Sequence, residues 1–145
     1  MEQIASERLK ALGSTASPRD LVRNLPIAQR QLVQIARALL EEHRLVIFDE
    51  PTAVLTTSEV DTLLGIVRGL RDRGVAVLYI SHRLNEVEAL ADRITVLRDG
   101  KMIGTYDAAA VTQEDMARLM VGRELAMLYP PKRGVSSLPP VLEID

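Results

Sequence analysis

Apolar residues recur along this chain in two periods, and the switches between them mark out the elements. Residues 2–12 carry Ile4, Leu9 and Leu12 on one helical face, and Gly13-Ser14-Thr15 with Ser17-Pro18 break the pattern. From Pro26 to Glu42 the apolar set Leu32, Ile35, Ala36, Leu39 and Leu40 has the spacing of a one-sided helix. Asn24 is placed to cap it, and Pro26 suits a first turn, where a missing N–H costs little. The period then shortens. Leu45 to Phe48 is an unbroken apolar run that ends on Asp49 and Glu50, with Pro51 and Thr52 forming a turn. Thr56 and Glu59 have the spacing of a capping box, and Val60, Leu63, Leu64, Val67 and Leu70 form the stripe of the helix that follows. Gly74 ends it.

Val75 to Ile80 has no polar interruption, which predicts a strand buried on both faces. Leu84, Val87, Leu90 and Ala91 mark a short helix. Ile94 to Leu97 is a strand, Asp99-Gly100 a tight hairpin turn, and Met102-Ile103 the return strand. Thr112 to Val121 is a last amphipathic helix, with Met116, Leu119 and Met120 apolar. Pro130 to Pro140 reads as an extended linker, and Val141 to Ile144 alternates like the start of a further strand. Strands alternating with helices predict an α/β fold: a mostly parallel sheet built by right-handed crossovers, with flanking helices and a C-terminal β-hairpin and helix.

Composition narrows this picture. With 145 residues, 47% of them hydrophobic, the chain can build a single-domain core. A net charge of −2 without a long basic run gives a nucleic-acid partner no electrostatic support. Cysteine is absent, which excludes disulfides and thiolate metal sites. The first ten residues carry charges throughout and lack the apolar stretch of a secretory signal. The longest apolar run falls far short of the ~20 residues that span a bilayer, so any service to a membrane is expected from its side.

The chemistry gathers at strand ends. Asp49 can hold magnesium and Glu50 can activate a water at the edge of a parallel sheet; two solvated carboxylates in a turn is the ordinary alternative. His82 follows the next apolar strand and reaches the same sheet edge, where an imidazole can donate a hydrogen bond to a phosphate. The helix start Asn24 to Gln29 presents free N–H groups that attract anions, although on chemistry alone an ordinary helix start is favoured. His43 near a helix C-terminus, and the core positions Met116 and Met120, read as structural, while Arg30 and Arg37 read as solvated.

Taken together these residues resemble the ABC transporter ATPases, a branch of the P-loop NTPases. Leu25 to Gln31 followed by Ile35 to Leu39 resembles their signature region, Asp49-Glu50-Pro51-Thr52 their Walker B strand, and Tyr79 to Leu84 their switch-histidine loop. Ala91 to Gly100 is similar to the strand and hairpin that follow, in the family's order and spacing. The closer resemblance is to bacterial importers of the ribose, galactose and xylose type, whose ATP-binding chain carries two ATPase halves. Leu119 to Leu125 with Tyr129-Pro130 resembles the end of a first half.

The resemblance implies a partial ABC ATPase domain: 1–43 as part of the helical subdomain with the signature helix, 44–123 as the C-terminal part of the core, 124–140 as linker, and 141–145 as the start of a second half. It implies ATP and Mg2+ as cofactors, with Asp49 helping to hold magnesium, Glu50 as general base and His82 on the γ-phosphate. Pro26, Ile27, Ala28 and Gln29 are implied to reach the nucleotide of an opposing unit. Implied partners are permease subunits, a second ATPase half and, indirectly, a periplasmic sugar-binding protein, with the chain at the cytoplasmic face of the bacterial inner membrane.

Departures from the family pattern are also visible. Pro26, Ile27 and Ala28 replace the Ser-Gly-Gly of the usual signature, and Pro26 removes a hydroxyl and an N–H, together on the order of 1.5–3 kcal/mol of charge-assisted bonding. Thr56 stands where many members place an aspartate. No Gly-x-x-x-x-Gly-Lys-Ser/Thr phosphate loop occurs, so the chain alone is expected to bind ATP weakly if at all. The family's first strand, which normally lies between 75–80 and 93–98, is absent too. Those two strands are expected to face a gap or collapse together, with poor solubility or dependence on a partner in either case. The competing expectations are a non-catalytic interaction module and a chromosome-maintenance or repair ATPase.

Overall fold

The computed structural model describes residues 2–122; the expected linker at 124–140, the strand start at 141–145 and the motif end at Tyr129-Pro130 lie outside them. The order is α1 (Glu2–Ala11), α2 (Ile27–Ala38), β1 (Leu45–Asp49), α3 (Thr57–Asp72), β2 (Ala76–Ile80), α4 (Leu84–Leu90), β3 (Arg93–Arg98), β4 (Lys101–Asp107) and α5 (Gln113–Val121). Short 3-10 turns occupy Val22–Asn24 and Ala108–Ala110.

The apolar stripes point where their spacing says they must. On α2 the buried residues are Leu32, Ile35 and Ala36, and on α3 they are Val60, Leu63, Leu64, Val67 and Leu70. The expected capping box closes the start of α3, with the Glu59 N–H on Thr56 Oγ1 at 3.4 Å and the Thr56 N–H on Glu59 Oε2 at 2.9 Å. Two boundaries differ from expectation. Asn24 lies in the 3-10 turn, so Pro26 occupies the cap position of α2 with no side-chain cap bond. The helix also stops at Ala38 instead of Glu42: the Leu39 N–H is shared between the Ile35 and Ala36 carbonyls and the Leu40 N–H turns to Arg37, a tightening that ends the ladder. Leu40 is consequently 49% exposed and leaves the buried face.

The fold is α/β as expected, and its strands form two separate pairs. β1 and β2 run parallel with Leu45 opposite Ala76 and Asp49 opposite Ile80; β3 and β4 run antiparallel with Arg93 opposite Asp107. No ladder joins β2 to β3, so the gap expected there is present, and a cavity of about 310 Å³ opens beside it, lined in part by Val77, Tyr79, Leu90 and Arg93. The expectation that the second strand is buried on both faces is therefore overturned. Val46 and Phe48 pack into the core with α2 and α3, joined by Val77 and Tyr79, whereas Leu45, Ile47, Leu78 and Ile80 on the other face remain exposed. Among the described residues the helices lie on one side of this two-stranded pair, and its second face stays bare.

The hairpin closes by itself. Asp99 (φ 51°) and Gly100 (φ 72°) both take left-handed backbone, as a two-residue turn between twisted antiparallel strands requires. Ile94 and Val96 pack on Met116 of α5, which starts at a Thr112–Asp115 capping box and ends at Gly122 with φ 73°.

Candidate functional site

Parallel pairing brings the two expected strand ends to one level. The Glu50 N–H donates to the Ile80 carbonyl at 2.9 Å, which extends the ladder one step past Asp49. Glu50 then turns out of the strand with φ 44°, an uncommon left-handed conformation for a residue with a side chain. That turn sets its Oε1 2.9 Å from Nδ1 of His82. The second oxygen, Oε2, is buried and has no partner among the described residues. A buried acceptor left open in this way costs on the order of 1–3 kcal/mol and suits a donor such as a bound water. The imidazole of His82 is largely exposed, which leaves its Nε2 side accessible.

Asp49 lies on the uncovered face of β1 with Leu45 and Ile47, and it is exposed. The described residues hold no cluster of three His, Cys, Asp or Glu that would bind a metal unaided. Magnesium is commonly held by one or two carboxylates together with waters and substrate phosphates, so Asp49 fits the part of a single protein ligand.

Among the described residues no hydrogen bond joins the helix start at Pro26 to Gln29 to the Glu50–His82 pair. Ile27 is 67% exposed at the tip of α2, and Ala28 packs against the core. Gln29 is engaged within the chain: its Oε1 accepts from Ser14 Oγ at 2.6 Å and from the Thr15 N–H at 3.1 Å, while Nε2 donates to Glu59 at 3.4 Å. Arg30, expected to be merely solvated, donates to the Leu25 carbonyl at 2.8 Å and the Arg23 carbonyl at 2.7 Å, holding the turn ahead of α2. His43 lies beyond the early end of α2, so the basic residue in that last turn is Arg37.

The group that sequence reasoning missed is Glu86. It is 1% exposed, and its Oε2 accepts from Thr52 Oγ1 (2.9 Å), Tyr79 OH (2.9 Å) and Ser81 Oγ (3.2 Å), with Arg83 3.5 Å from Oε1. Burial pushes the Tyr79 phenol well above its ordinary value, and the Glu86 hydrogen bond and charge raise it further, so Tyr79 remains a donor. One signal was present in the chain. Alternation along β2 turns Tyr79 inward with Val77, and a buried phenol needs a polar partner.

The ABC transporter family model matches residues 1–53, which takes in both Pro26–Gln29 and Asp49-Glu50. The chain is 53% identical over 129 residues to the ribose import ATP-binding protein RbsA of Chelativorans sp. (strain BNC1), a match covering 89% of this chain. The chain belongs to the ABC transporter family. It is also 51% identical over 122 residues to the xylose import ATP-binding protein XylG of Escherichia coli O6:K15:H31, with 84% of the chain covered. The chain spans about a quarter of the length of these relatives, 26% and 24% respectively.

Solved ABC transporters agree with the fold. An inward-facing transporter described as metal-chelate type superposes with a TM-score of 0.67 at 26% identity, covering 83% of this chain and 48% of that one. The dimeric ABC transporter cassette MJ0796 gives 0.66 at 25% identity, covering 73% and 46%. The fold is thus a partial ABC ATPase domain, and its two sheet pairs are parts of that architecture.

Proposed function

We propose that residues 2–122 supply the water-activating and phosphate-sensing part of an ATPase half that energises sugar import. The observation that carries this is the 2.9 Å contact between Glu50 and His82 at one sheet edge, with the other Glu50 oxygen buried and open. Glu50 accepts the proton of the water that attacks the terminal phosphate of ATP, and ADP leaves with the electrons of the broken P–O bond. The contact of His82 Nδ1 with Glu50 fixes the ring so that its accessible Nε2 side is the one that meets the phosphate. Magnesium held in part by Asp49 would neutralise phosphate charge. Ile27, exposed at the start of α2, marks the edge from which Pro26 to Gln29 meet a nucleotide bound by an opposing half.

Import of a monosaccharide is supported by the names of the relatives, which print ribose and xylose import. On this reading the partners are permease subunits, a second ATPase half and, through the permease, a sugar-binding protein, and the chain works at the cytoplasmic face of the inner membrane. No helix among the described residues is long and apolar enough to cross a membrane.

The test is to join this chain, in frame, to the part of the Chelativorans relative that precedes its matched region. The joined protein is expected to hydrolyse ATP, and Glu50→Gln is expected to lower kcat by about 100-fold or more while ATP binding persists. Hydrolysis that is absent from the joined protein, or unchanged by Glu50→Gln, overturns the reading.

A further inference from the structure

We propose that Glu86 is a positioning residue, whose buried carboxylate ties the turn after β1 to the end of β2 and so keeps Glu50 and His82 in contact. The claim deepens the reading above and rests on it for the roles of Glu50 and His82. Its geometric content stands on this chain alone.

The three hydroxyls that converge on Glu86 Oε2 come from both sides of the site. Thr52, fully buried, is two residues past Glu50; Ser81 immediately precedes His82; and Tyr79 is two residues before Ser81 on the same strand. Ser81 Oγ in turn accepts from the Arg83 N–H at 3.0 Å, which closes the backbone around His82. Oε1 of Glu86 faces the Arg83 guanidinium. A neutral amide reproduces this only in part, because its single oxygen carries less charge for the three hydroxyls and its two N–H donors would face the Arg83 guanidinium where Oε1 now lies.

The turn it anchors is one that needs holding. Glu50 sits at φ 44°, outside the regions a side-chain-bearing residue prefers, and such a conformation persists only where its surroundings impose it. Three bonds contribute here: the Glu50 N–H on the Ile80 carbonyl, the Ala53 N–H on the Glu50 carbonyl at 3.3 Å, and the Thr52 hydroxyl on Glu86, which alone ties the turn to α4. With Thr52 released, Glu50 can relax toward an ordinary backbone conformation, and its carboxylate then swings away from His82. Glu86 touches neither Glu50 nor His82 through any hydrogen bond, so its effect on them passes through Thr52 and Ser81.

The chain has two histidines, so a chain labelled with 15N only at histidine shows two rings, and His43 serves as the internal reference. The Nδ1 chemical shift of His82 is read at one fixed pH, and Glu50→Ala defines its value when the contact is gone. Glu86→Gln is expected to move Nδ1 most of the way to that value and leave His43 in place. Thr52→Val, which keeps the carboxylate and its other partners, is expected to move it in the same direction by less, and it decides the matter if Glu86→Gln fails to fold. Leu32→Ala, a cavity in the core on α2, is expected to leave Nδ1 where it is. An unmoved Nδ1 in the folded variants, or an equal movement in Leu32→Ala, overturns the proposal.

In the joined protein, Glu86→Gln is expected to lower kcat by about tenfold or more with KM for ATP within about twofold, the split expected when only transition-state geometry is lost. If the unsubstituted joined protein does not hydrolyse ATP, the functional reading fails while the Nδ1 shifts still decide the role of Glu86.

Discussion

The parallel pair β1–β2 and the hairpin β3–β4 are both two-stranded, yet they are finished differently. The hairpin is joined by a two-residue turn, its inward residues Ile94 and Val96 are covered by Met116 on the helix that follows it, and its outward face carries a Thr95–Thr105 hydrogen bond of 3.0 Å. Thr95 and Thr105 let part of that face meet water, while Leu97 and Met102, paired near its turn, are 67% and 69% exposed. The parallel strands are joined through α3, are covered on one side by α2 and α3, and turn Leu45, Ile47, Leu78 and Ile80 outward. Such a face is written for a second cover. Local connections let a hairpin complete itself, whereas parallel strands need crossovers and layers drawn from distant parts of a chain.

Neighbouring positions on β1 break the comparison most sharply. Phe48, 5% exposed, and Ile47, 58% exposed, point to opposite faces. Phe48→Lys is expected to cost more than about 3 kcal/mol and unfold the parallel unit, because it places an unpaired charge in the core. Ile47→Lys should stay within about 0.5 kcal/mol and reduce self-association by placing charge on the bare face. Urea denaturation and light scattering of both variants check the pair; equal destabilisation would mean that the second face is covered in solution.

Next in size is Met116→Ala. Met116 is 2% exposed at the centre of the smaller cluster, so about 2–5 kcal/mol should be lost there. Because no ladder joins β2 to β3, the loss of amide-exchange protection is expected in β3, β4 and α5, with β1 and β2 retaining theirs. Uniform loss across all four strands would show the two units to be one cooperative body.

Gly100→Ala should cost about 1 kcal/mol, measured by thermal unfolding. Its φ of 72° disfavours a side chain, and open space where a Cβ would sit leaves backbone strain as the penalty. The smallest effect concerns α5. The Thr112 hydroxyl and then the Thr112 N–H hold the Asp115 carboxyl below its ordinary value of 3.8. A depressed folded value stabilises above the unfolded one and loses that contribution as pH falls through the folded one. Acidification below 3.8 should therefore weaken the start of α5, and Asp115→Asn should flatten that part of the curve measured by circular dichroism.

Much of this was readable in advance where the cause is local. The Thr56–Glu59 box, the α3 stripe and the Asp99-Gly100 turn all depend on residues a few positions apart, and each formed as expected. The end of α2 was misplaced because Leu39 and Leu40 keep the apolar period after the hydrogen-bond ladder has tightened and stopped. Val75 to Ile80 looked doubly buried because its residues are apolar on both faces, but composition states only what a face would prefer to touch. Arg30 looked solvated because its carbonyl partners belong to a turn outside the helix.

The sequence by itself determined the order of elements, the residue types at each strand end and the family to which they belong, since these follow from periodicity, capping and motif spacing. Tertiary structure alone decided that Glu50 meets His82, that Gln29 is engaged with Ser14, Thr15 and Glu59, and that Thr52, Tyr79 and Ser81 converge on Glu86. The physical reason is distance along the chain. Glu50 and His82, and Thr52 and Glu86, become neighbours only when parallel pairing aligns Asp49 with Ile80 and α4 follows the strand end, while Gln29 meets its partners only when the segments on either side of α2 pack beside it; no local period encodes these meetings.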